Sequence, residues 1–123
     1  MYNKKVVVVD DDQKVLITIE KTLRQIGFEV FTTGDGKKAL ELIEREIPDL
    51  VISDILQPGM DGILLCQEIK KTPAYNHIKI ILITGVFNRS NMTRITGCTP
   101  DAFIEKPIDM PQLATLIQQT LKI

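Results

Sequence analysis

The sequence predicts an α/β protein built on one parallel sheet with helices packed on both of its faces. Three observations carry that prediction. Short β-branched runs alternate with longer segments of helical periodicity. The strand-like runs are continuously apolar, as strands buried on both faces must be. Residues able to handle metal or phosphate fall at the ends of those runs. Strand-then-helix alternation implies parallel strands joined by right-handed crossovers.

Taken in order, Lys5–Val9 is a β-branched run too short for a helix and is predicted as the first strand. Leu16, Ile19, Leu23 and Ile26 recur at helical spacing, and Gly27 stands where a helix stops. Residues 28–33 form the second predicted strand. Gly34-Asp35-Gly36 turns the chain, Ala39, Leu40, Ile43 and Ile47 mark a second helix, and Pro48 prevents its continuation. Leu50–Ser53 is the third strand, and residues 54–61 are a loop carrying Pro58 and Gly59. Ile63, Cys66 and Ile69 share one face of a third helix over 62–71. Residues 79–83 are the fourth strand. Met92 and Ile95 predict a short, weakly amphipathic fourth helix within 85–96. Residues 102–105 are the fifth strand. Asp109 is placed to cap a last helix, with Pro111 in its first turn and Leu113, Leu116, Ile117 and Leu121 facing inward.

At 123 residues the chain has the size of one domain, assigned to residues 1–123, with no repeat, linker or low-complexity segment. Its 44% hydrophobic and 25% charged residues are those of a soluble globular protein. The formal net charge of −1 gives no reason to expect direct nucleic-acid binding. No apolar stretch is long enough for a membrane span, and no secretory signal pattern opens the chain, so a cytoplasmic location is expected. Cys66 and Cys98 are far apart in sequence and form no CxxC, which predicts reduced thiols.

The chemistry collects at four strand ends. The first strand runs into Asp10, Asp11 and Asp12, the third into Asp54, the fourth into Thr84 and the fifth into Lys106. In a doubly wound sheet, ligands bind outside the carboxyl ends of the strands, so these residues should meet at one edge. Asp10, Asp11 and Asp54 in one pocket would repel one another and push at least one pKa upward. A hard divalent cation relieves that repulsion, and Mg2+ takes carboxylates, a carbonyl and waters. Lys106 and the Thr84 hydroxyl would then receive an anion, expected to be a phosphoryl group. An aspartate can accept phosphoryl as a nucleophile, with the metal and the lysine positioning and neutralising it. Asp54 is the best nucleophile candidate because it stands alone at a central strand end. Asp11 would hold the metal directly, with Asp10 assisting through water.

Four motifs stand in order at strand ends. They are Val6 to Val9 followed by Asp10-Asp11-Asp12; Ser53-Asp54-Ile55-Leu56-Gln57-Pro58-Gly59-Met60-Asp61-Gly62; Ile83-Thr84-Gly85; and Glu105-Lys106-Pro107. With all four present, the sequence resembles the CheY-like receiver domains of two-component response regulators over essentially its whole length. The resemblance implies a flavodoxin-like (βα)5 fold, a five-stranded parallel sheet of order 2-1-3-4-5. It implies that Asp54 is the phosphoacceptor and that Asp10, Asp11, Asp54 and the Leu56 carbonyl hold Mg2+. It further implies that Thr84 is the switch hydroxyl, that Lys106 binds the phosphoryl group, that a cis bond precedes Pro107, and that Phe103 swings inward when Thr84 moves.

The implied function is Mg2+-dependent phosphoryl transfer to Asp54 from a sensor histidine kinase or a histidine phosphotransfer protein. The transfer would switch the face formed by the fourth helix, fifth strand and fifth helix toward a downstream protein or output domain, with a phosphorylation-dependent homodimer as a further partner. Such a chain is a signalling phosphoacceptor that assists its own phosphorylation and slow dephosphorylation, not an enzyme. It ends just after the last helix, which fits either a stand-alone receiver or part of a larger regulator or hybrid kinase.

Several positions depart from the family pattern. Gln57 precedes Pro58 where Met is common, Gly85 follows Thr84 where Ala is usual, and Phe103 lacks the hydroxyl of the more frequent Tyr. Residues 97–101 are two residues longer than the common pattern, which predicts a shortened or shifted fourth helix. Leu56 and Val86, two residues after Asp54 and Thr84, are apolar and cannot orient an attacking water, which predicts a slow loss of phosphoryl.

Other residues have ordinary explanations. Asp12, or Asp11, can cap the first helix. Asp61-Gly62 reads as turn chemistry. His77 reads as solvated, Cys66 as helix packing, and the Lys37-Lys38 and Lys70-Lys71 pairs as solvated helix ends. Two alternative functions compete with this reading. A degenerate receiver used only for protein binding is opposed by the complete acidic set and Lys106. An aspartyl-nucleophile phosphatase resembles Asp-x-Asp-x-Thr, whereas Lys14 stands where that pattern needs Thr. No Gly-rich phosphate loop follows the first strand, so nucleotide binding is unsupported.

Overall fold

Period-two alternation along continuously apolar strands builds the core. The computed structural model describes residues 3–55, 59–85 and 99–123. Five parallel strands, β1 (Lys5–Val9), β2 (Glu29–Thr33), β3 (Leu50–Asp54), β4 (Lys79–Thr84) and β5 (Ala102–Glu105), form one sheet in the order 2-1-3-4-5. This is the flavodoxin-like order expected. Four helices are described: α1 (Gln13–Ile26), α2 (Gly36–Glu46), α3 (Gly62–Lys71) and α4 (Met110–Leu121), the last being the fifth helix counted from the sequence. The fourth helix expected within 85–96 falls outside the described residues, apart from Gly85.

Successive side chains of a strand point to opposite faces, so each strand feeds two cores. Val6, Val8, Leu50, Ile52, Ile81, Ile83 and Ile104 pack with Leu16, Ile19 and Leu23 of α1 and with Leu113 and Ile117 of α4. Val7, Val9, Val51, Ile80 and Leu82 pack with Ala39 and Ile43 of α2 and with Leu65, Cys66 and Ile69 of α3. Each fully buried Leu or Ile contributes about 1.5–3 kcal/mol by leaving water. The two-sided burial explains why the strands read as unbroken apolar runs.

The helix ends at Asp12, Gly27 and Asp109 follow the sequence signals, and the turn residues Asp35 and Asp61 prove to be caps as well. Asp12, Asp35, Asp61 and Asp109 cap α1, α2, α3 and α4 by accepting hydrogen bonds from first-turn backbone amides. Gly27 ends α1 at φ 119°, and its amide donates to Leu23 and Arg24. That left-handed conformation is open to glycine at little cost. The Phe28 amide also donates to Leu23 O, so Phe28 belongs to the helix stop and β2 begins at Glu29, one residue later than expected. A 3-10 turn at Pro73–Tyr75 stands between α3 and β4, where the sequence predicts no regular element.

Two aspartates fasten the opposite, amino-terminal edge of the sheet. Asp49 accepts a hydrogen bond from the Lys5 amide at 2.9 Å and donates its own amide to Lys5 O at 2.9 Å. Asp101 repeats the device on β4. It accepts from the Ile80 amide at 2.8 Å, donates to Ile80 O at 2.8 Å, and pairs with Lys70 at 3.1 Å. Cys66 corrects the sequence expectation: it is buried and disulfide-bonded, not a reduced thiol. Distance along the chain says nothing of distance in space once helices pack on a sheet. Cys98 lies outside the described residues.

Candidate functional site

The three consecutive aspartates take three different jobs because β1 ends at Val9. Asp10 continues the strand path, with its amide donating to Thr33 O at 3.1 Å, so its side chain stays wholly buried. Asp11 is exposed at the rim. Asp12 turns its carboxylate onto the amides of Lys14 and Val15 and caps α1. The Asp12 amide in turn donates to Asp10 Oδ1 at 2.9 Å, which orients the buried carboxylate.

Asp54 closes β3 and is almost entirely buried. Its carboxylate, with those of Asp10 and Asp11, forms a group whose ligand oxygens lie within 4.8 Å of one another. Lys106, just past β5, reaches in from the side. Its Nζ donates to Asp54 Oδ2 at 3.0 Å and stands 3.5 Å from Asp10 Oδ2. The Lys106 amide donates to Thr84 O at 2.8 Å, and the Lys106–Pro107 bond is cis, as expected. The carboxyl edge of the sheet therefore brings together Asp10, Asp11, Asp54 and Lys106.

Thr84 ends β4 at the same edge, buried, and its hydroxyl is turned to β5, donating weakly to Ile104 O at 3.5 Å. Phe103 pairs in register with Leu82, well before the strand end, and is half-buried. It lines a cavity of about 440 Å³ with Gln112, Thr115, Leu116 and Gln119 of α4. Leu56, expected to offer its carbonyl, and Gln57 and Val86 lie outside the described residues. His77 is exposed.

The electrostatics follow from burial and crowding. Burial pushes the Asp10 carboxyl above its ordinary value, and the Asp54 charge adds to the rise. The Asp12 amide and Lys106 oppose it without cancelling it. Burial alone would lower the Lys106 ammonium, but the hydrogen bond to Asp54 and the charges of Asp10 and Asp54 outweigh it and raise its pKa.

The site also fits a divalent cation on its own terms. Asp10 Oδ2 is buried without a hydrogen-bond partner. An all-oxygen anionic set of this kind suits a hard ion such as Mg2+ and would satisfy that oxygen.

One contributor escaped the sequence reading. Gly62, expected as a turn residue and the start of the third helix, opens α3 directly against the backbone of Asp54. A Cβ there would stand 2.3 Å from Asp54 O and 3.0 Å from Ile55 Cα. The Gly62 amide donates to Ile55 O at 2.8 Å, which seats α3 on the Asp54 backbone. A glycine at the first position of a helix was the available signal.

Comparison with known proteins agrees with this geometry. The family model described as "Response regulator receiver domain" matches residues 6–118. The response regulator PleD of Caulobacter vibrioides is 37% identical over 107 residues, covering 85% of this chain and 23% of that protein. The probable transcriptional regulator ycf27 of Guillardia theta is 36% identical over 121 residues, covering 97% of this chain and 46% of that protein. The chain thus spans less than half the length of these relatives. Among solved structures, a CheY-like response regulator receiver domain protein from Methanospirillum hungatei JF-1 superposes with a TM-score of 0.88 at 29% identity, covering 98% of this chain and 94% of that one.

Proposed function

The chain belongs to the response regulator receiver family, and from that membership we propose that Asp54 accepts phosphoryl from a histidine donor, with Lys106 and a bound Mg2+ neutralising the charge. The observation that carries this reading is the convergence on Asp54. One lysine ammonium lies 3.0 Å from its Oδ2, and two further carboxylates lie within 4.8 Å at the carboxyl edge of the sheet. A buried acid is a poor nucleophile when crowded by other acids, and a good one when cations hold the crowd in place.

Asp10, Asp11 and Asp54 would hold Mg2+, together with the carbonyl of Leu56. The ion, when bound, supplies charge neutralisation to the transferring phosphoryl group. The chain's own residues do the rest. The P–N bond of a phosphohistidine breaks as a P–O bond forms to an Asp54 carboxylate oxygen, and the imidazole leaves with the electron pair and takes a proton. Lys106 is within reach of a phosphoryl oxygen on Asp54, since it already touches that carboxylate. The Thr84 hydroxyl has only a long bond to Ile104 O to give up before turning toward the phosphoryl group. Phe103 would then move toward the space that Thr84 leaves.

The kinase or phosphotransfer protein supplies the phosphoryl group. The downstream partner reads the face around β5, α4 and the predicted fourth helix. Among the described residues no helix is long and apolar enough to cross a membrane.

Acetyl phosphate with Mg2+ followed by intact-protein mass spectrometry tests the reading. Wild type should gain one phosphoryl group and Asp54→Asn none. An adduct retained in the Asn variant moves the site elsewhere. Leu56 and Val86, two residues after Asp54 and Thr84 in sequence, are apolar and cannot orient an attacking water, so the acyl phosphate should persist for minutes or longer. A lifetime of seconds would refute that part.

A further inference from the structure

The turn Gly34-Asp35-Gly36, between β2 and α2, contributes no metal ligand, yet it touches both segments that do. A Cβ added to Gly34 would lie 3.5 Å from Asp10 O and 3.6 Å from Asp11 Cα, ordinary contact distances. At Gly36, which is buried, the added atom would fall 1.8 Å from Met60 O and 2.9 Å from Met60 Cα. That overlap is with backbone and cannot be relieved by turning a side chain. Asp35 Oδ1 caps α2 through the Lys37 and Lys38 amides at 2.7 and 3.3 Å. The same oxygen would stand 2.4 Å from a Cβ on Gly59, which has φ 85°. One three-residue turn thus lies between the Asp10–Asp11 turn on one side and Gly59–Met60, on the return from Asp54, on the other. Beyond Met60, Gly62 is seated on Asp54 O and bonded to Ile55 O.

We propose that Gly34-Asp35-Gly36 is a positioning element that sets the spacing between the Asp10–Asp11 pair and Asp54, and with it the affinity for Mg2+. This rests on the metal-binding reading above. The reason is geometric: a cation needs its carboxylates at one separation, and this turn presses on Met60 on the Asp54 side and borders the Asp10–Asp11 turn at Gly34 on the other. Gly36 acts through its backbone and Asp35 through its carboxylate against Gly59, and neither is assigned to the metal or the phosphoryl group.

The test is calorimetric titration of the chain with Mg2+, together with amide hydrogen exchange of Gly62 in the metal-free protein. The variants are Gly36→Ala and Asp35→Ser, the latter keeping a capping oxygen but losing the carboxylate that faces Gly59. Asp109→Ala, which removes the α4 cap far from this turn, serves as the stability control. Gly36→Ala, by forcing the Met60 backbone aside, should weaken Mg2+ binding about 10-fold, the low end of what disturbing a metal site's outer support costs. Asp35→Ser should move it in the same direction by a smaller factor. In both, Gly62 exchange should accelerate more than that of the core amide of Val8. Asp109→Ala should lower the melting temperature and leave Mg2+ affinity unchanged.

If Gly36→Ala does not fold, Asp35→Ser decides. Affinities within about two-fold of wild type in the folded variants overturn the proposal while leaving the metal site intact. Equal weakening by Asp109→Ala overturns it as a general stability effect. A wild-type chain that takes up no Mg2+ overturns the metal reading itself, and this proposal with it.

Discussion

Replacing Lys106 by Met keeps most of the aliphatic stem and deletes the ammonium. The ammonium stands 3.0 Å from Asp54 Oδ2 and 3.5 Å from Asp10 Oδ2. At an effective dielectric of about 20, each attraction is worth about 5 kcal/mol before desolvation. Most of that is returned, because the lysine recovers hydration and solvent reaches 31% of its side chain. Removing one partner of a fully buried pair costs about 3–5 kcal/mol. A pair whose acids are buried and whose lysine is partly wet should lose about 2 kcal/mol by that measure. Urea unfolding of wild type and variant at neutral pH, with a chelator present, measures it.

The pH dependence has a definite sign. Lys106 has a raised pKa in the folded chain, so its stabilisation is complete below the ordinary lysine value and is lost as pH rises through the higher folded value. On the acid side the difference between the proteins should shrink as the carboxylates take up protons and the pairs disappear. Mg2+ should bind the variant at least as tightly as wild type, since a competing cation is gone, and should restore about 2.7 kcal/mol at a hundredfold excess over Kd. No loss at neutral pH, or an equal loss at acid pH, would refute the electrostatic account.

Three further outcomes rest on the same packing and charges. Because Asp10 has a raised pKa, metal-free wild type should lose stability as pH rises from the ordinary aspartate value through the Asp10 folded value. Asp10→Asn should flatten that slope and raise the neutral-pH urea midpoint, and a lower midpoint would contradict it. Asp101→Ala removes the acceptor of the Ile80 amide and the partner of Lys70, and should cost about 2 kcal/mol in chemical denaturation while leaving phosphoryl uptake by Asp54 unchanged. Ile52→Ala in β3 should cost about 3 kcal/mol by the same measurement, whereas Ile17→Ala, at a position 61% exposed on α1, should stay within about 0.5 kcal/mol. Similar losses for the two would mean that the sheet does not bury β3 as described.

Strand and helix identity was legible because burial writes itself into residue order. A strand covered on both sides has to be apolar throughout, and Val6 to Val9, Leu50 to Ile52 and Ile80 to Ile83 are. Helix starts were legible at Asp12 and Asp109 because a capping carboxylate acts on amides two or three residues away, a contact local in sequence. The candidate site was legible in its residue types and in its edge, since a parallel sheet sends every strand end the same way.

Contacts between residues distant in sequence were decided by the tertiary structure alone. The order of residues places Lys106 and Asp54 at one edge, but nothing in it says that Asp10 is buried while Asp11 is exposed, or that the Lys106 ammonium bonds Asp54 Oδ2 directly at 3.0 Å. The same holds for Asp49 and Asp101 fastening neighbouring strands, for the bonded state of Cys66, and for the turn at Gly36 pressing on Met60. Local pattern reports which side of an element is apolar. It carries no measure of how closely two packed backbones approach, and that approach is what turns three separate acids into one pocket.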